Sequence, residues 1–218
     1  TEVGNVSFGA DFDTEKEKIA MFGDLIYKKN KTFAFNGDYH LNRIENHPEG
    51  NLDFNMNMNG TDVSVVNEFL DPDVISEFSG FLEGNMSLTG TLKDPLLEGK
   101  VNVDKGKVNL AILGADMFFE GELESVDDGF YINSMPLQDE EGNTGFITGS
   151  LFHNNFEDFN FEVIVNLEEH PFERMPNNPS KALPVEKCKL MNTEYSEEEA
   201  YYGTAYITGR AIITGYAD

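Results

Sequence analysis

From Asn51 to Gly60 the chain reads Asn-Leu-Asp-Phe-Asn-Met-Asn-Met-Asn-Gly, with apolar and polar residues alternating without a break. Successive side chains of a β-strand point to opposite faces, so a run of this period fits a strand with one buried face and fits no helix. The same period returns in Val6, Phe8, Ala10 and Phe12, in Phe33, Phe35, Gly37, Tyr39 and Leu41, and in Leu97, Gly99, Val101 and Val103. Further along, Met117, Phe119, Gly121 and Leu123 share a face, as do Phe159, Phe161, Val163, Val165 and Leu167.

Turn-like clusters such as Asp127-Asp128-Gly129 and Glu141-Gly142-Asn143 separate these runs at short intervals, which predicts hairpin meanders and not βαβ units. Glycine sits inside several strands, at Gly37, Gly84, Gly99, Gly121, Gly149 and Gly209, where it marks a bulge, a bend or a close backbone approach. The fold expected is therefore all-β: a curved, elongated antiparallel sheet of meandering strands, forming a U-shaped groove or closing to a sandwich.

One stretch departs from period 2. Val63, Val65, Val66, Phe69 and Leu70 fall at helical spacing after Asp62, a residue suited to an N-cap. This predicts one short helix near 62–78, with β structure resuming at Gly80. The helix divides the chain into a β segment over 1–79 and a second β domain over 80–218. A polar, Pro-rich stretch from Arg174 to Lys181 and an acidic one from Ser196 to Glu199 read as exposed, mobile loops.

Charge and composition exclude several functions. The formal charge of −25 over 218 residues opposes a phosphate backbone, because nucleic-acid binding needs clustered Lys and Arg. Cys188 is the single cysteine, so no internal disulfide forms and packing alone holds the fold. No apolar run reaches the roughly 20 residues that span a bilayer as a helix. The strand pattern begins and ends in mid-run, so an anchor or export signal is expected outside this sequence.

The residues of chemistry form no constellation. His40, His47, His153 and His170 lack zinc-ligand spacing, and no cofactor or metal is expected. His153 reads as a turn residue. Asp139-Glu140-Glu141 and Glu157-Asp158 could be offered as a glycosidase pair, but adjacent carboxylates arise by chance in a chain with 40 acidic residues. No nucleophile elbow, phosphate loop or dinucleotide fingerprint is present. The reading is a chain without catalytic residues. What stands out is 18 Phe and 8 Met with no Trp. These side chains fill irregular apolar space without asking for hydrogen-bond partners, which suits a sandwich core or a groove for acyl chains.

Three stretches carry a resemblance. Phe81 to Gly106 contains a glycine-spaced run through Pro95 to Gly99. Asp139 to Gly145 is followed by Gly149-Ser150-Leu151-Phe152-His153. Near the end stands Tyr201-Tyr202-Gly203-Thr204-Ala205-Tyr206. In this order, over roughly 80–215, they resemble the C-terminal region of TamB-like translocation and assembly proteins of the Bacteroidetes type. The resemblance implies a periplasmic segment of an inner-membrane-anchored envelope protein, with a taco-like β groove whose lining is apolar. Membrane contact would come through other parts of that protein. It also implies an outer-membrane barrel of the TamA or BamA type as partner, and phospholipid acyl chains or outer-membrane protein strands as clients. The lining positions it implies are Leu82, Met86, Leu88, Val101, Val103, Met117, Phe119, Phe161, Val163 and Val165. The alternative is a closed β-sandwich that binds a ligand or protein, as in a surface or secreted protein.

Overall fold

The computed structural model describes residues 4–41, 51–68, 71–73, 75–111, 113–126, 129–154, 157–185, 187–195 and 202–217. The strands in chain order are β1 (Asn5–Asp13), β2 (Lys18–Tyr27), β3 (Asn30–His40), β4 (Leu52–Asp62), β5 (Ile75–Gly90), β6 (Pro95–Leu110), β7 (Ala115–Val126) and β8 (Gly129–Asp139). They continue with β9 (Thr144–Asn154), β10 (Glu157–Asn166), β11 (Glu169–Met175), β12 (Asn178–Pro184), β13 (Cys188–Thr193), β14 (Gly203–Ile207) and β15 (Arg210–Ala217). Strands β1 to β10 lie side by side in chain order, and β15 adds to β10, giving one antiparallel sheet of 11 strands. The sheet is long and curved and does not close into a barrel. β11 with β12 and β13 with β14 form two small two-stranded sheets. Among the described residues no second large sheet stands opposite the first.

The alternation read from the sequence becomes two chemically distinct faces. Cross-strand partners share a face, and one row of partners crosses the sheet from edge to edge: Val6, Leu25, Phe33, Met58, Gly84, Val101, Leu123, Ile132, Gly149, Val163 and Ile213. Every member is apolar or glycine. The row beside it, on the other face, runs Ser7, Asp24, Ala34, Asn57, Asn85, Lys100, Glu124, Tyr131, Ser150, Glu162 and Thr214. Here the polar side chains pair with one another: the Asn57 amide donates to Asn85 Oδ1 at 2.8 Å, and Lys100 meets Glu122 at 2.7 Å and Glu124 at 3.5 Å.

Curvature comes from a line of irregularities that crosses the middle of the sheet. The register shifts between Asn59 and Thr61 on β4, Ser79 and Phe81 on β5, Val103 and Gly106 on β6, Phe119 and Leu123 on β7, and Ile132 and Met135 on β8. These shifts neighbour one another across strands, and each bulge adds local twist and bend. Two residues with side chains hold left-handed backbone there, Lys105 at φ 51° and Ser134 at φ 57°, a conformation that costs about 1 kcal/mol or more for an L-residue. The aligned bulges form a crease that folds the apolar face inward.

Two expectations are corrected. The segment near 62–78 is a single 3₁₀ turn, Ser64–Glu68, with the Asp62 carboxylate accepting the Ser64 N–H at 2.8 Å. Residues 75–78 belong to β5, where Phe78 pairs with Val108 and Ile75 with Leu110. The long β6 offers a full backbone partner, and that pairing outweighs local helical spacing. Phe69, Leu70 and Val74 lie outside the described residues. β5 also runs through position 79, so strands from both proposed segments share one sheet. The stretch 174–181 is exposed as expected, but it forms the turn and the adjoining strand ends of the β11–β12 hairpin and not an open loop. A two-stranded ribbon leaves alternate N–H groups unbonded, so it tolerates Pro171, Pro179 and Pro184. The acidic stretch 196–199 lies outside the described residues.

Candidate functional site: an apolar concave face

With no second large sheet among the described residues to cover it, the apolar face still buries Val101 to 2% and Met117 to 4% exposure, which sets it on the inner side of the curved sheet. The lining positions named from the sequence fall on this one face. Leu82 pairs with Val103, Gly84 with Val101, Met86 with Gly99 and Leu88 with Leu97. Beyond the crease, Met117 pairs with Val108 and Phe119 with Gly106. At the far side Phe161, Val163 and Val165 pair with Leu151, Gly149 and Ile147. Met86, Val101, Val103 and Met117 are buried, and Leu82, Leu88, Phe119, Phe161, Val163 and Val165 are half-buried.

The face extends further than those positions. Phe8, Phe33, Phe35, Leu52, Phe54, Met56 and Met58 from 1–79 continue it, and Phe35 lies 6.3 Å from Phe8 and 6.5 Å from Phe54, centroid to centroid. The period-2 pattern of these residues marked a buried face, and only the register β4–β5 joins it to the face of the later strands.

Glycines shape the floor. A Cβ at Gly23 would stand 2.5 Å from the Phe35 ring, at Gly37 2.8 Å from the Phe54 ring, at Gly106 2.5 Å from Phe119 and at Gly215 2.5 Å from Phe161. Each ring therefore lies down over a neighbouring glycine instead of standing up into the concavity.

Near β7 and β8 the concavity is closed by packing. Ala115, Met117 and Leu137 form a buried cluster, with Val108, Phe119, Ile147, Val165 and Leu190 packed against it. Leu190 belongs to β13, and the β13–β14 hairpin is fastened there by one carboxylate. Asp139, 3% exposed, accepts the N–H groups of Glu141 at 2.9 Å and Asn143 at 2.8 Å, the Asn143 side-chain amide at 2.8 Å and the Lys189 N–H at 2.6 Å. Burial disfavours the charged form, but these four donors outweigh it and hold the carboxyl below the usual carboxylate range. Around it, Lys189 Nζ reaches Glu140 at 3.0 Å, Tyr206 donates to Glu141 at 2.6 Å and the Asn192 N–H donates to the Leu113 carbonyl at 2.9 Å. Beside them the Cys188 thiol is pushed up to about 11, by burial first and then by the Asp139 charge, so it stays protonated at neutral pH.

Asp139 thus closes the β8–β9 turn through Glu141 and Asn143 and fastens the hairpin through the Lys189 N–H. His153 stands on β9, not in a turn, between the Phe130 and Phe159 rings at 5.8 and 6.0 Å. His170 packs edge-on to Phe146 at 4.4 Å and accepts the Phe172 and Glu173 N–H groups. Among the described residues no three of His, Cys, Asp and Glu converge as a metal-holding group, and no helix is long and apolar enough to cross a membrane. Comparison with protein families, with curated proteins and with solved structures finds no match to this chain.

Proposed function

We propose that this chain is a non-catalytic β-groove segment of a TamB-like periplasmic protein. In this reading it shelters phospholipid acyl chains, or strands of outer-membrane proteins, on their way between two membranes, together with an outer-membrane barrel of the TamA or BamA type. The observation that carries the reading is the unbroken apolar row from Val6 to Ile213 on the concave face of an open sheet. Its mechanism is burial without chemistry. Each methylene moved from water onto such a face contributes about 0.8 kcal/mol, so a tail of ordinary length is held without a polar anchor. The convex face, polar and acidic, keeps the scaffold dispersed and leaves one side for the client.

The test is titration of a fluorescent fatty-acid analogue into the purified chain, followed by displacement with phospholipid. Phe8→Glu, on the concave face of β1, should weaken binding, while Asn55→Glu on the convex face should leave it unchanged. Absence of binding to the wild-type chain, or equal loss in both variants, would contradict the reading.

A further inference from the structure

The β13–β14 hairpin lies over part of the concave face without belonging to the sheet beneath it. Among the described residues its two strands form a ladder only with each other. In the cluster around Ala115, Met117 and Leu137, Leu190 alone comes from outside the main sheet, while Val108, Phe119, Ile147 and Val165 all rise from the sheet itself. Met117, Phe119 and Val165 are lining positions, so Leu190 occupies the part of the face where apolar groups of a client would lie. The seating is narrow. Two backbone donors reach across, the Lys189 N–H to Asp139 at 2.6 Å and the Asn192 N–H to the Leu113 carbonyl at 2.9 Å. Cys188 is buried beside the Asn143 carbonyl in the β8–β9 turn. The remaining fastenings stand at the rim, where Lys189 Nζ lies 3.0 Å from Glu140 and 3.7 Å from Glu141. On the same strand the Thr193 hydroxyl is buried with no hydrogen-bond partner among the described residues, a cost that is relieved when the hairpin lifts into water.

We propose that the β13–β14 hairpin is a displaceable plug, with Leu190 holding the β7–β10 part of the groove until an acyl chain takes its place. This role rests on the acyl-binding reading above and adds to it a competitor within the same chain. A tethered competitor acts at a high effective concentration. A small apolar solute does not displace it, whereas an acyl chain of ordinary length offers several times the apolar area of one leucine side chain. The apparent affinity for a client is then the intrinsic one reduced by the fraction of molecules whose hairpin is lifted. Leu190 belongs to the plug and not to the sheet, so truncating it removes nothing from the face beneath. Loss of a competitor tightens client binding, and loss of a fixed wall weakens it.

The experiment is titration of cis-parinaric acid, a fluorescent fatty acid, into the wild-type chain and two variants. Leu190→Ala removes the apolar contact of the plug. Lys189→Glu sets a carboxylate against Glu140 and Glu141 and leaves the apolar cluster untouched. Each should tighten binding by about threefold or more, with strand content unchanged by circular dichroism. In the wild-type chain, saturation with the probe should speed hydrogen exchange at the Lys189 and Asn192 N–H groups, which are released when the hairpin lifts. Probe binding that is equal or weaker in both variants, or exchange at those two groups that slows on saturation, would overturn the plug while leaving the acyl-binding reading intact. Absence of binding to all three proteins would remove that reading, and the plug with it.

Discussion

Val101 and Val6 belong to the same apolar row, on the same face of the same sheet, yet Val101 is 2% exposed and Val6 75% exposed. At the other end of the row Ile213 is 50% exposed. The centre of the sheet, β4 to β9, has neighbours on both sides, the crease beneath it and the β13–β14 hairpin across one end. The wings, the edge strands β1 and β15, have the same kind of side chains without that cover, while Leu25, Phe33 and Phe35 on β2 and β3 stay half-buried. Residue type is therefore the same in both regions, and what differs is the number of layers around it. The centre holds the fold, and the wings hold apolar surface in reserve for something else to cover.

The largest effect should come from breaking the centre. Val101→Asp places an unpaired carboxylate where no donor waits, and should cost about 4 kcal/mol or more, read as loss of the cooperative transition in urea. Phe8→Asp in the wing should shift the same midpoint by well under about 1 kcal/mol, because the site is already 66% exposed. Similar losses at both positions would erase the distinction between centre and wing.

Next in size is the fastening of the hairpin. Asp139→Ala leaves the Lys189, Glu141 and Asn143 donors unsatisfied and should cost about 3 kcal/mol, with hydrogen exchange rising first in β13 and β14. The same carboxylate makes a signed pH prediction. Its pKa is lowered in the folded chain, so its contribution is present in full above the ordinary carboxylate value. That contribution is lost as the pH falls through the lowered value. Acid should therefore release the hairpin before it unfolds the strands of the wing, and in Asp139→Asn this acid step should shrink. Thermal melts at stepped acidic pH would show whether it does.

Smaller again is Gly215→Val, whose side chain would meet only the Phe161 ring, push it off its shelf and cost about 1–3 kcal/mol through overpacking. It should reduce acyl-probe capacity more than stability, measured by titration and urea midpoint on the same sample. The smallest effect should be Lys100→Ala on the convex face, an exposed and solvent-screened ion pair, whose loss should leave the urea midpoint unchanged.

Much of this architecture was legible in the residues. The alternation at 51–60 dictated which side of β4 is buried, and Gly84 and Gly99 mark the close backbone approach that glycine within a strand announces, whereas of the glycines under a ring only Gly37 was singled out, and Gly23, Gly106 and Gly215 were not. The crease was not legible, because Lys105 and Ser134 take left-handed backbone without any residue preference announcing it, and a bulge changes which parity faces inward. Nor was the role of Asp139, whose decisive donor, the Lys189 N–H, lies 50 residues away. The stretch 75–78 went to a strand for the same reason: its partner, β6, is distant in sequence, and pairing with it outweighed a local helical pattern.

The most direct test of the groove is native mass spectrometry with lipid extraction, comparing wild type with Val163→Glu. Val163 sits in the apolar row, half-buried opposite Gly149 and Ile213. The account predicts co-purifying phospholipid on the wild-type chain and its loss from a variant that keeps its strand content. A wild-type chain free of lipid that also gains none from phospholipid vesicles would contradict it.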